Sequence, residues 1–282
     1  MAFICFDKFL ENLGEVELIA QAADGAFFVA TQKGSDVPAE TSAKARIQGN
    51  AMTRAGLVLL CGFLEGFIRD IAEEYVDFLN DEEIELKSFP DELFRSVILD
   101  IADGLRSRDA NAVTGVRGYI ENQQRPQLNK KRFSNTGGNP TVDTIEAIFL
   151  ALGIPNVIDK LSIEHYLVES TYINESQVQP AMRDAISASL NQLNNNMSDA
   201  ALSQIVALIE SKWLPKKKRR KVGYVNEIEQ LLKKRNRIAH GEGSEQVTST
   251  ELRKFAQCVG RLGEGLNGLV RLTLDALPVP VH

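Results

Sequence analysis

Apolar positions recur at three- and four-residue steps over most of this chain, the spacing of amphipathic helices. The longest such pattern covers residues 40–80. Leu57, Leu60, Cys61, Leu64, Ile68, Ile71, Tyr75 and Leu79 stack on one face, and Asp70, Glu73, Glu74 and Asp77 stand opposite. Phe6, Phe9, Leu10, Leu13, Val16, Ile19 and Ala20 predict one or two short helices within residues 3–31, before the polar, turn-rich "ATQKGSDVPAETS". Residues 81–104 continue helically through Leu93, Phe94, Val97, Ile98 and Ile101. Asn139 as cap and Pro140 in the first turn open a helix that ends near Gly153 and Pro155. Two more amphipathic helices are expected over 176–194 and 198–213, the second capped by Ser198. Val225, Ile228, Leu231, Leu232 and Ile238 mark another, stopped by Gly241 and Gly243. Thr248 and Glu251 have capping-box spacing and begin a final helix through Leu252, Phe255, Val259, Leu262, Leu266, Leu269 and Leu272. No strand-like alternation and no repeat period competes. The pattern predicts an all-α bundle: a helical extension over 1–39, a main helical domain over 40–275 with basic loops at 106–133 and 215–223, and a tail over 276–282.

Composition changes this picture little, and charge changes it more. With 282 residues, 44% of them apolar, the chain can bury a sizeable core. The net charge of −6 argues against wholesale coating of nucleic acid. Yet residues 212–237 hold eleven Lys or Arg against two Glu, so an acidic body carries one basic stripe. That is the footprint expected for a phosphate-bearing ligand. Cys5, Cys61 and Cys258 have no metal-ligand spacing and read as core thiols, suited to a reducing cytoplasm. No signal peptide is visible, and the longest apolar run, Ala55 to Leu64, is half a membrane span. There is no glycine-rich phosphate loop, no GxSxG elbow and no His-rich set. Neither a metal nor a cofactor is expected.

The chemistry-bearing stretch is Arg235-Asn236-Arg237-Ile238-Ala239-His240, at a helix end before Gly241. At about 100° per residue Asn236 and His240 share a face, while Arg235 lies roughly 140° from His240. Arg offers a forked, permanent charge to a phosphate, and His moves protons near neutral pH. Asn236 can fix the imidazole. These are parts for cutting RNA, or simply solvated residues at a helix end.

The motif Arg235-Asn236-x-x-x-His240 followed by Gly241 resembles the R-N-x-x-x-H signature of HEPN domains, in particular their RiboL-PSP-like branch. "RAGLVLLCGFLEGFIRD" (54–70) is similar to the early core helix of the larger prokaryotic HEPN proteins, and "GNPTVDTIEAIFLALGIP" (138–155) to the helix before their motif helix. The resemblance implies an all-helical fold and a metal-independent endoribonuclease of toxin–antitoxin or anti-phage systems. It also implies a homodimer in which two motif helices share one cleft, and a possible antitoxin or defence partner protein. His240 and Arg235 would be catalytic, with Asn236. The alternative is a non-catalytic HEPN module that binds nucleic acid or a partner.

Other residues have two readings each. Lys216, Lys217, Lys218, Arg219, Arg220 and Lys221, together with Arg237, can hold an RNA backbone near His240; otherwise the run is a flexible, exposed charged loop. Between Arg106 and Arg132 seven basic residues face two acids. This is either a solvated connection or a nucleic-acid contact in which Tyr119 or Phe133 stacks a base. Glu65 lies beside the apolar face. It is expected to pair with Arg69 one turn on, or else to support Arg235 or His240 across the bundle. His165, among Ile163, Tyr166 and Leu167, reads as a packed core or surface residue rather than a catalyst.

Overall fold

In the computed structural model the 40–80 pattern becomes one 43-residue helix, α2 (Ala39–Asp81). The structure describes residues 3–32, 38–82, 84–108, 110–122, 128–175, 216–241 and 245–277, with Asp184 and Ala188. The fold is all-α. The face of α2 read from the sequence is the centre of the core: Leu57, Leu60, Leu64, Ile68, Ile71, Tyr75 and Leu79 are fully buried. By length and composition α2 could cross a bilayer, but here it is the helix that the others pack around.

Residues 4–31 form one helix, α1 (Ile4–Thr31), where one or two short ones were expected. Packing against α2 along its whole length, through Phe9, Val16, Ala20, Ala23 and Ala30, outweighs the glycines at 14 and 25. Gly49 of α2 permits the close approach; a Cβ there would come within 2.7 Å of the Phe27 ring. Arg253 of the last helix, α9 (Ser249–Asp275), ties α1 down through Glu17 at 3.0 Å and Asp24 at 2.7 Å. Phe9, Val16 and Ala20 share one continuous core with α2 and α9, so α1 is structurally part of the bundle.

A short 3-10 turn (Leu86–Ser88) leads to α3 (Asp91–Arg106) and α4 (Ala110–Asn122). Within the stretch expected as a basic loop over 106–133, Ala110–Asn122 and Lys130–Phe133 are helical. Gly104 and Ala112 let α3 and α4 meet, and small residues leave no apolar stripe to read. The one-turn α5 (Lys130–Phe133) follows. Its cations pair with acids: Lys130 with Asp77 at 2.6 Å, Lys131 with Glu73 at 3.0 Å, Arg132 with Asp103 at 2.6 Å. Phe133 is only 4% exposed and cannot stack a base. The Tyr119 side chain lies outside the described residues.

The next helix, α6 (Val142–Ala151), starts two residues later than expected. Thr141, not Asn139, is its cap and accepts from the Thr144 N–H at 3.1 Å. Pro140 disfavours helical backbone at the residue before it. The chain turns at Gly153 (φ +85°) into α7 (Val157–Tyr166), whose first N–H groups are capped by Glu146 of α6 at 3.1 Å.

Nothing in the hydrophobic pattern marks the antiparallel ribbon β1 (Tyr172–Glu175) and β2 (Lys216–Arg219), paired from Tyr172↔Arg219 to Glu175↔Lys216. The basic run expected as a flexible loop is in part a paired strand. Side chains hold it where an apolar face would hold an ordinary strand. Arg219 donates to the Tyr172 hydroxyl and lies 4.9 Å above its ring. Asp159 binds Thr171 and Ser170 at the ribbon's base. Apart from Asp184 and Ala188, the helices expected over 176–194 and 198–213, with Ser198, fall outside the described residues, as does the tail from 278.

Candidate functional site

The motif helix α8 (Tyr224–Ala239) begins on Gly223, which has no side chain to cap it. Ser162 of α7 does so instead, accepting from the Tyr224 N–H at 3.1 Å. Gly223 has φ +56°, and a Cβ on it would meet Ser162 at 2.7 Å, so the junction requires glycine. Tyr224 is fully buried and its hydroxyl meets His165 Nδ1 at 2.6 Å, so His165 is a packing residue as read. Val225, Ile228, Leu231 and Leu232 fix the rotation of α8 on the core. His240 is the C-cap, and Gly241 (φ +79°) turns the chain away.

The three motif residues stand together at this end, on two faces. His240 is exposed, and among the described residues its imidazole has no hydrogen-bond partner. Arg235 is half-buried and turned toward α2 and the loop before α6. Its guanidinium donates to Asn236 Oδ1 at 3.0 Å and to the Gly138 carbonyl at 3.5 Å. Its charge reaches the Cys61 thiol, which burial pushes up to about 12 while Arg235 pulls the other way. Asn236, expected to orient the imidazole, grips Arg235 instead. A charged guanidinium is the stronger donor for its amide oxygen.

Glu65 forms no direct pair with Arg69, Arg235 or His240 among the described residues. Arg69 turns to Asp70 at 3.0 Å, and Glu65 accepts from Thr136 Oγ1 at 2.7 Å. Thr136 precedes the Gly137–Gly138 turn, both residues at positive φ, whose carbonyl meets Arg235. Glu65 therefore supports Arg235 through the loop. Glu73 anchors the same loop through Ser134 at 2.9 Å and through Lys131. Burial pushes its carboxyl up, and those hydrogen bonds outweigh burial and hold it below the ordinary range.

Below His240 a groove of about 590 Å³ runs between α8 and the start of α6. Lys233, Asn236, Arg237 and His240 line one side, Asn139, Thr141 and Asp143 the other, and Arg219 one end. Lys233 was missed from the sequence, although its spacing of four and seven residues to Arg237 and His240 places all three on one helix face. Among the described residues it has no ion-pair partner. The α6 wall had no sequence signal, because nearly a hundred residues separate it from α8.

The expected RNA-contacting cations differ in what they touch. Arg219 is turned inward to Tyr172 and Asp143. Lys221 pairs with Glu229 at 2.7 Å. Lys218 is exposed, and Arg220 is half-buried with its N–H on the Thr171 carbonyl at 2.7 Å. Lys216 and Lys217 lie in β2, their side chains outside the described residues. Arg237 pairs with Glu245 at 3.0 Å, and Glu245 also takes Lys234 at 3.1 Å. These two cations hold the Glu245 carboxyl below its ordinary range.

Among the described residues no cluster of His, Cys, Asp or Glu could hold a metal ion. In comparisons with known proteins, a sequence model of the RiboL-PSP-HEPN family matches residues 36–270. No curated protein and no solved structure matches the chain.

Proposed function

Given that this chain belongs to the RiboL-PSP-HEPN family, we propose that it is a metal-independent endoribonuclease acting as a toxin or anti-phage effector. The observation that carries this is one helix end with an exposed His240, an adjoining Arg235 and a cation-lined groove beneath. The RNA 2′-oxygen attacks the neighbouring phosphorus, the bond from phosphorus to the 5′-oxygen breaks, and a 2′,3′-cyclic phosphate and a 5′-hydroxyl result. His240 takes the proton from the 2′-hydroxyl or gives one to the leaving oxygen. Arg235 faces the charge that builds on the phosphoryl oxygens. One helix holds the two on different faces. A homodimer of facing α8 helices would let each subunit's Arg235 serve the other's His240.

The test is cleavage of total RNA in excess chelator by the purified chain. Cyclic-phosphate ends are expected. His240→Ala should lose about a hundredfold or more in rate, the usual scale of acid–base catalysis, and Arg235→Ala a similar factor. The helical circular-dichroism signal of the His240 variant should be unchanged. Full activity in His240→Ala would falsify the assignment.

One observation favours a second reading, a non-catalytic module that docks a partner protein such as an antitoxin. Ile4, Leu18 and Phe28 of α1 and Ile47 of α2 leave large apolar side chains exposed. Under this reading the chain binds RNA or a partner and leaves RNA intact.

A further inference from the structure

The groove between α6 and α8 has features that proton transfer at His240 does not use. Its floor is apolar: Val142, Ile228 and Leu232 line it, each of them nearly buried in the core. Its volume is that of a small-molecule site. A phosphate alone would gain nothing from an apolar floor. Two residues of its lining also hold polar atoms that are withdrawn from water and unpartnered: Asn139 Oδ1, an acceptor, and Arg219 Nη1, a donor. Buried polar atoms are nearly always paired, and leaving them unpaired is costly. A flat ligand with a donor on its edge relieves Asn139 once that side chain turns toward it, while Arg219 stays on Tyr172.

The rim completes the fit. Lys233 stands at the groove as a cation without a partner among the described residues, on the same face as His240. Asp143 and Glu229 also line the groove, but each already faces a cation, Arg219 and Lys221 respectively. The charge left for a ligand is therefore positive, above an apolar floor with unsatisfied hydrogen-bonding atoms beside it.

We infer that this groove is a nucleobase subsite. It takes one unpaired base of the nucleotide next to the phosphate at His240. The base lies on Val142, Ile228 and Leu232 with an edge toward Asn139, and its phosphate lies toward Lys233. A base in a duplex is stacked and paired and cannot reach such a floor. The base's place in a reaction rests on the ribonuclease reading; the pocket itself does not.

Nucleoside 3′-monophosphates contain no bond for the enzyme to cut, so they report binding alone. The four of them, with ribose 5-phosphate and inorganic phosphate as base-free probes, are titrated calorimetrically into the full chain. At least one nucleotide should bind about tenfold or more tightly than ribose 5-phosphate, the difference of about 1.4 kcal/mol that a modest apolar contact supplies. Val142→Trp, which fills the groove, should bring it to the base-free level. Asn139→Ala, outside any helix, should keep the fold and change the ranking of the four bases. Equal binding of nucleotides and ribose 5-phosphate overturns the subsite, as does unchanged nucleotide binding and ranking in a folded Asn139→Ala protein. A chain that binds the base but cuts no RNA keeps the subsite and loses the ribonuclease reading. A chain that cuts RNA but shows no preference for nucleotides keeps the reading and loses the subsite.

Discussion

Among single side chains, Glu245 anchors the backbone just past His240. It is 13% exposed and grips Lys234, itself 22% exposed, and Arg237, which is 43% exposed. The Arg237 pair is open to water and contributes little; most of the effect comes from Lys234. Glu245→Gln should lower stability by about 1 kcal/mol, or about 2–4 °C in Tm for a domain of this size. The pH dependence has a definite sign. The folded carboxyl lies below its ordinary 4.5, held there by Lys234 and Arg237. The unfolded chain then binds more protons between the two values, so stability is full above 4.5 and falls as the pH drops through the folded value. Melting curves of wild type and variant should differ at neutral pH and converge in acid; a constant gap would reject the clasp. The motif residues themselves were legible, because helix spacing and a glycine stop are local signals. Their partners were not. Gly138 reaches Arg235 across 97 positions, and Thr136 reaches Glu65 across 71. No periodicity carries such contacts.

Among the elements, the ribbon separates what was readable from what was not. Helices announced themselves by apolar stripes, and the Thr248 cap by its spacing to Glu251, whose N–H it accepts at 3.1 Å. β2 has no apolar alternation and is held by Arg219, so its sequence reads as a charged loop. Its pinning also sorts the cations. Lys130, Lys131 and Arg132 are engaged by acids of α2 and α3, which leaves the ribbon as the basic element to test for RNA contact. Replacing Lys216, Lys217, Lys218, Arg220 and Lys221 with Gln, while keeping Arg219, should weaken RNA binding. The slope of log affinity on log salt should flatten by about 0.7 for each phosphate the ribbon no longer holds. The cleavage rate at saturating RNA should change much less. An unchanged slope would show that the run touches no phosphate.

At the scale of the whole molecule, the different faces of Arg235 and His240 make a shared site testable. Arg235→Ala and His240→Ala chains, each inactive, should recover partial RNA cleavage when co-expressed, because a mixed dimer keeps one site with both side chains. Isolated mixed dimers without activity would argue against sharing, and a cleaving monomer would end the idea. Whether α1 packs on the core is not legible in its sequence, because stripe spacing says which face is apolar, not which helix will cover it. The ribbon has one more consequence, for how the chain could be rebuilt. Glu175 and Lys216 are paired across it, so the backbone comes back to the point where it departed. Exchanging residues 176–215 for Asn-Gly, the tightest hairpin connection, should leave β1 and β2 in the same register. A shortened chain that still melts cooperatively, with its helical signal kept, would make that junction a splice point where a fluorescent or affinity module could be grafted; loss of the cooperative melt would reject it.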